Sequence, residues 1–303
     1  MRLMTTLGPL AASEVATILP HEHLLAHFGE GAEAIASDAR ADEVIAALTP
    51  SMHAAARAGV GAIVEATAVG GGRRADIMHA LSVSTGMPLI LATGVFREPY
   101  ITERARSGEG MLRDWMTTEL MVGIDDTDVR AGWIKLRSGD DGLTEAQRTL
   151  LCAAGSAATA ANATIGSHTV RGTVAREQVD VLEAVGRPPD RFIWIHAQDE
   201  PDVAFHLELA RRGVWIEYDG IDSEHPDAFY IGLVLRLLDA GFGDQLLLSH
   251  DRRGLDPGAP GGVTPVDYTY VVERFLPALA DAGVSNHELA RIQHDNPFRA
   301  YAR

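Results

Sequence analysis

Cysteine is nearly absent from this chain. Cys152 is the one thiol among 303 residues, so no intrachain disulfide can form. Its Ala-rich helical surroundings point to a structural thiol rather than a nucleophile. No run approaches the roughly 18 consecutive apolar residues of a membrane-spanning helix. The opening stretch from Met1 to Pro9 is too short and too polar for a secretory signal. A cytoplasmic protein with no membrane partner is the expectation. Basic residues are outnumbered, 26 Lys and Arg against 42 Asp and Glu, for a formal net charge of −16. That disfavours nucleic acid, whose phosphates require a basic face. It leaves room for a small anionic substrate, because a few arginines can reverse the sign locally. A phosphate-binding Gly-x-Gly-x-x-Gly after the first strand is also missing. Gly70-Gly71-Gly72 lacks its spacing, which argues against a dinucleotide-binding sheet.

What is present is an alternation. At 46% hydrophobic and 22% charged the composition is that of a globular protein. Gly8-Pro9 marks a turn between two short extended pieces, predicting an N-terminal hairpin. Eight apolar runs then read as strands: 16–19 (ending at Pro20), 61–67, 88–94, 133–136, 164–168, 192–196, 214–218 and 245–251. Helical patterns over about 38–58, 73–85, 102–121, 143–161, 173–185, 201–212 and 225–240 separate them, and helices near 265–282 and 286–301 finish the chain. Strands this uniformly apolar suit a parallel sheet buried on both faces. The count predicts an α/β fold, a single (β/α)8 TIM barrel domain over 1–303, with its active site at the C-terminal strand ends.

Those ends are where the chemistry gathers. His21 and His23 stand at i and i+2 and so share one side of an extended segment. His168 and His196 each end a later strand, and Asp251 ends the eighth. Lys135 lies inside an apolar strand, where an ammonium is costly and tends to lose its proton. A neutral amine there can take up carbon dioxide to form a carbamate able to bridge two metals. Alternatively, the ammonium pairs with Asp251. His250 faces away from this group by strand alternation, and Glu22 serves as supporting structure.

His21-x-His23, Lys135, His168, His196 and Asp251, in that order on those strands, resemble the phosphotriesterase-related branch of the amidohydrolase superfamily. The similarity spans the chain. It is supported by Thr6-Leu7-Gly8-Pro9, Pro20-His21-Glu22-His23, Ala92-Thr93-Gly94, Ala131 to Lys135 and Asp295-Asn296-Pro297. The resemblance implies two divalent ions, zinc with manganese or cobalt as alternatives. His21, His23 and Asp251 would hold one, His168 and His196 the other, and a carboxylated Lys135 would bridge them. It implies hydrolysis of lactones, phosphotriesters and related esters, with Asp251 as catalytic proton acceptor, in a homodimer.

The substrate is argued from the mouth. Where related lactonases carry a tyrosine, this chain has Phe96, which has no phenol to hold a homoserine lactone. Arg97, Arg137, Arg252 and Arg253 surround the expected opening, and guanidinium forks suit carboxylates and phosphates. Asp140, Asp141, Asp219 or Asp222 could instead pair with them. Tyr100, Tyr218 and Asp219 are further candidate substrate contacts, and the Gly/Pro-rich stretch 254–265 reads as a loop over the pocket. A sugar-derived or anionic lactone is the expected substrate, with a phosphotriester or carboxylic ester on the same centre, or a catalytically silent barrel that only binds its ligand, as the alternatives.

Overall fold

A hairpin opens the chain: β1 (Leu3–Thr5) pairs antiparallel with β2 (Gly8–Leu10). The turn lies at Thr6–Leu7, so Gly8 and Pro9 sit in the second strand rather than at the bend expected from them. Eight strands follow and pair in parallel in chain order: β3 (Thr17–Leu25), β4 (Val60–Glu65), β5 (Leu89–Thr93), β6 (Trp133–Arg137), β7 (Ile165–His168), β8 (Phe192–Ile195), β9 (Trp215–Tyr218) and β10 (Leu246–Leu248). A last strand, β11 (Arg253–Leu255), pairs with β3, setting Arg253 opposite His23. The run expected as strand eight, 245–251, is strand only over Leu246–Leu248. That part pairs with β9 and the stretch after Asp251 with β3, so the two edges of the sheet meet. This (β/α)8 barrel, a computed structural model, is described over residues 1–259 and 266–303.

Alternation sorts the strand residues into two cores. Ile18, Ala62, Val64, Ile90, Ala92, Trp133, Ile193, Ile195, Trp215 and Leu247 form the barrel interior, closed from below by Leu3, Phe298 and Tyr301. Their neighbours Leu19, Ile63, Leu91, Ile134, Trp194 and Ile216 face the helices. The helix after β6, Glu145–Ala161, starts at a capping box between Thr144 and Gln147. The helix after β4, Ala75–Thr85, stops at Gly86 in the left-handed region, as its sequence predicted. The helix expected at 38–58 forms as Ala41–Arg57, preceded by a short helix, Ala32–Ser37, that was not expected, and the one expected at 102–121 is divided into Tyr100–Ala105 and Glu109–Met121, parted at Gly108 with φ 87°. Half of the expected loop at 254–265, and the start of the helix expected at 265, fall on 260–265, outside the described residues. No helix among the described residues is long and apolar enough to cross a membrane.

The first barrel strand corrects the expectation most. Rather than ending before Pro20, β3 runs through it to Leu25. Between Leu19 and Glu22 it carries one residue more than β4, a bulge, which is where a strand tolerates proline. The extra residue switches parity. Ile18 faces the interior and Leu19 the helices, yet beyond the bulge His21 and His23 face inward.

Tyr301 locks this bulge from below. Its buried hydroxyl lies 2.9 Å from the Pro20 carbonyl and 3.4 Å from Glu217 Oε2. Tyr301→Phe should destabilise the chain by about 1–3 kcal/mol, the usual result of stranding a buried polar group. Chemical denaturation of the two proteins would measure it, and an unchanged midpoint would remove Tyr301 from the account.

Candidate metal centre

The six side chains singled out from the sequence converge at the C-terminal end of the barrel. His21 and His23 come from β3, Lys135 from β6, and His168 from the end of β7. His196 and Asp251 follow their strands in left-handed conformations, φ 64° and 50°, which turn each side chain relative to simple alternation. Ring centroids lie 5.4 Å apart for His21 and His23, 5.5 Å for His21 and His196, and 4.3 Å for His168 and His196. Lys135 Nζ is 3.0 Å from His21 Nε2, and Asp251 Oδ1 is 3.4 Å from Nε2 of both His21 and His23.

Three imidazoles are oriented from behind. His21 Nδ1 donates to Glu217 at 2.6 Å, His23 Nδ1 to the Thr67 hydroxyl at 2.7 Å, and His196 Nδ1 to Asp219 at 2.5 Å. Thr67 passes its own proton to Glu65 at 2.6 Å, and Gln198 braces Asp219 at 2.8 Å. With each Nδ1 proton engaged, the Nε2 lone pairs turn toward the centre, the arrangement that makes histidine a metal ligand. Asp251 Oδ1 is buried among them with no hydrogen-bond partner among the described residues. Unprotonated nitrogens around an unpartnered carboxylate oxygen make a donor set that a divalent cation satisfies. His21, His196 and Asp251 bring such atoms within 4.8 Å of one another. Glu217 and Asp219 gather on the Nδ1 side of His21, where the proton already is, so they orient rather than ligate.

Burial sets the protonation states. It lowers His21 and His23 well below the usual imidazole range, with the Lys135 charge adding to it, and lowers His168 together with His196. His196 is raised instead, because Asp219 outweighs its burial. Burial brings Lys135 down to about 8 and Asp251 up to about 7. An amine and a carboxyl so close to neutrality are suited to carbamate formation and proton transfer respectively.

The mouth sorts the remaining candidates. Phe96 packs 5.5 Å from His168 and 5.1 Å from Phe28, a residue the sequence offered no reason to choose. Arg137 lies over the Phe96 ring at 5.3 Å and Arg253 over Phe28 at 4.9 Å. Arg97 is spent on the carbonyls of Phe28 and Gly29, and Arg252 on Asp222. Tyr100 is half-buried against the core between sheet and helices. Tyr218 is not at the mouth at all: alternation turns it outward into that core, where its hydroxyl meets His206 Nδ1 at 2.8 Å. Asp219 supports His196 rather than facing substrate. Glu65 and Glu217 were overlooked within apolar strands, although Glu217 stands at i−2 from Asp219 and so shares its inward face. A cavity of about 510 Å³ opens beside Asp251, lined by Ser223, Glu224, Arg252, Arg253, Val266 and Asp267.

The sequence pattern that defines the phosphotriesterase family matches residues 1–301. A phosphotriesterase homology protein of Mycobacterium tuberculosis is 28% identical over 320 residues, covering 99% of this chain and 98% of its own. An aryldialkylphosphatase of Saccharolobus solfataricus is 25% identical, over 80% of this chain and 81% of its own. Among solved structures, a mutant of the phosphotriesterase-like lactonase of Deinococcus radiodurans superposes with a TM-score of 0.89 at 28% identity, covering 99% of this chain and 100% of that one.

Burial raises Glu65 to about 7 from an ordinary 4.5, against the hydrogen bonds from Thr67 and Leu24. The folded chain therefore keeps a proton that the unfolded chain releases above about 4.5. Stability contributed by the neutral form is complete below that pH and is lost as pH rises through about 7. In the metal-free protein Glu65→Gln should flatten this decline by on the order of 2–3 kcal/mol. Denaturation of both proteins across that window checks the sign, and parallel curves would refute it.

Proposed function

The chain belongs to the phosphotriesterase family, and from that premise we propose that it is a metal-dependent lactonase acting on a sugar-derived or otherwise anionic lactone. The observation that carries the reading is the unpartnered Asp251 oxygen facing the Nε2 atoms of His21 and His23. On this reading His21, His23 and Asp251 would hold one divalent ion and His168 and His196 a second, with a carboxylated Lys135 as their common ligand. Zinc suits these donors, and manganese or cobalt can replace it. Such ions lower the pKa of a shared water and polarise the electrophile.

The chain's own residues do the rest. The Lys135 amine, brought down to about 8, adds through nitrogen to carbon dioxide, loses a proton and leaves a carbamate anion. Asp251 accepts the proton as water adds to the lactone carbonyl. When the ring C–O bond breaks, that proton passes to the departing ring oxygen, giving the hydroxy acid. Phe28 and Phe96 form an apolar wall beside His23 and His168, which disfavours water other than the nucleophile. Arg137 and Arg253 lie over those rings without a carboxylate ion pair among the described residues. The undescribed stretch 260–265 contains no acidic residue to pair with them. They are the guanidiniums left to meet an anionic substituent. Hydrolysis of a phosphotriester or carboxylic ester on the same centre is the rival, and the aryldialkylphosphatase relative keeps it in view.

A hydrolysis screen with a pH indicator should find turnover on carboxylated or phosphorylated lactones, lost on chelation. Fast phosphotriester turnover with inert lactones would overturn the lactonase assignment. Asp251→Asn should lower kcat by about 10²–10⁴-fold, the usual range for removing an acid–base group. A variant that still turned over at the native rate would dismiss Asp251 as proton acceptor. Arg137→Gln should raise KM for an anionic lactone about tenfold, as expected for a lost charge-assisted hydrogen bond, and leave a neutral lactone unaffected. Equal effects on both substrates would exclude anion selection by Arg137.

A further inference from the structure

Between His21 and His23, Glu22 points the other way and is fully buried. Both of its oxygens accept hydrogen bonds from the segment that carries Asp251. Oε1 receives the Ser249 hydroxyl at 2.8 Å, the His250 amide at 3.2 Å and His250 Nδ1 at 2.6 Å, while Oε2 receives the Arg252 amide at 2.9 Å. The peptide N–H groups on either side of Asp251 therefore end on one carboxylate, and the amide of Asp251 itself donates to the His21 carbonyl at 3.2 Å. Asp251 has φ 50°, a left-handed conformation that a residue other than glycine keeps only when its surroundings hold it.

His250 extends this link outward. It is fully buried, and with its Nδ1 proton on Glu22 its Nε2 lone pair accepts the Val271 amide at 2.9 Å. Val271 begins the helical turn Val271–Phe275. Just before it, Val266 and Asp267 line the cavity shared with Asp251, Arg252 and Arg253. A wall of the cavity and the carboxylate on its floor are thus joined through one imidazole and one buried carboxylate.

We infer that Glu22 and His250 are positioning residues, with Glu22 holding the backbone of Asp251 and His250 coupling it to the cavity wall from Val266 to Val271. The inference rests on the proton-accepting role proposed for Asp251. The competing possibility is a clasp that closes the barrel and does nothing more.

The test uses the metal-loaded enzyme and three variants. Glu22→Gln halves the acceptor pair. His250→Gln keeps an acceptor near the Nε2 position, whereas His250→Asn keeps a donor near the Nδ1 position. Glu22→Gln and His250→Gln should lower kcat by about 10- to 100-fold, the scale of an ångström-sized misplacement, with KM and metal content unchanged. His250→Asn should retain kcat, raise KM and accelerate hydrogen exchange at the Val271 amide. A crystal structure of Glu22→Gln should place Asp251 away from φ near 50°. A clasp alone predicts lower melting temperatures with kcat, exchange and Asp251 geometry unchanged, and that result overturns the inference. Since the His250 variants leave Glu22 in place, they decide the matter should Glu22→Gln not fold. A displaced Asp251 with full turnover would support the positioning and sink only the role assigned to Asp251.

Discussion

Crowding basic nitrogens and a carboxylate together inside a closed barrel is the constraint on which this molecule depends. Four imidazoles, an amine and a carboxylate crowd one end of the interior, and burial penalises every charge among them. The fold resolves this from behind, by giving the Nδ1 atoms of His21, His23 and His196 acceptors on β9, beyond β4 and at the end of β9 respectively. The lone pairs then have one direction left, toward the centre. A divalent cation there would convert mutual repulsion into attraction, which is why these donors suit one.

The same constraint explains the irregular backbone. A regular β3 would have directed His21 and His23 toward the helices, and a regular end to β8, where Ile193 and Ile195 face the interior, would have done the same to His196. A bulge at Pro20 and the left-handed His196 correct these three, and a second left-handed residue, Asp251, ends its segment at the same rim. Each irregularity is held by buried hydrogen bonds: Tyr301 on the Pro20 carbonyl, Asp219 on the His196 amide, and Glu22 on the amides flanking Asp251. Departures from ideal strand geometry occur at the candidate metal centre, and regular pairing occurs below it.

Much of this was legible beforehand because strand alternation and strand ends leave marks on a sequence. Eight apolar runs between helical patterns determine a barrel, and histidines at the ends of those runs determine which rim carries the site. Tyr218 shows the limit. It ends a strand beside Asp219 and so seemed a contact, but a single position of parity sends it to the helices and Asp219 to the interior. Glu65 and Glu217 were missed for the opposite reason: a lone carboxylate in an apolar run looks like a strand residue until the imidazole opposite it is known. Phe28 lies in a loop with no periodicity to mark it.

The sequence by itself determined the barrel, the rim and the residue types able to bind a metal, since these follow from periodicity and spacing along the chain. Only the tertiary structure decided which histidine nitrogen carries the proton, which of four arginines are already engaged, and how Asp251 is held. Those depend on partners far apart in the chain, such as Glu217 for His21, Asp222 for Arg252 and Glu22 for His250. Hydrogen bonds and ion pairs act over a few ångströms of space, and linear spacing does not encode which distant residues the fold will bring within that reach.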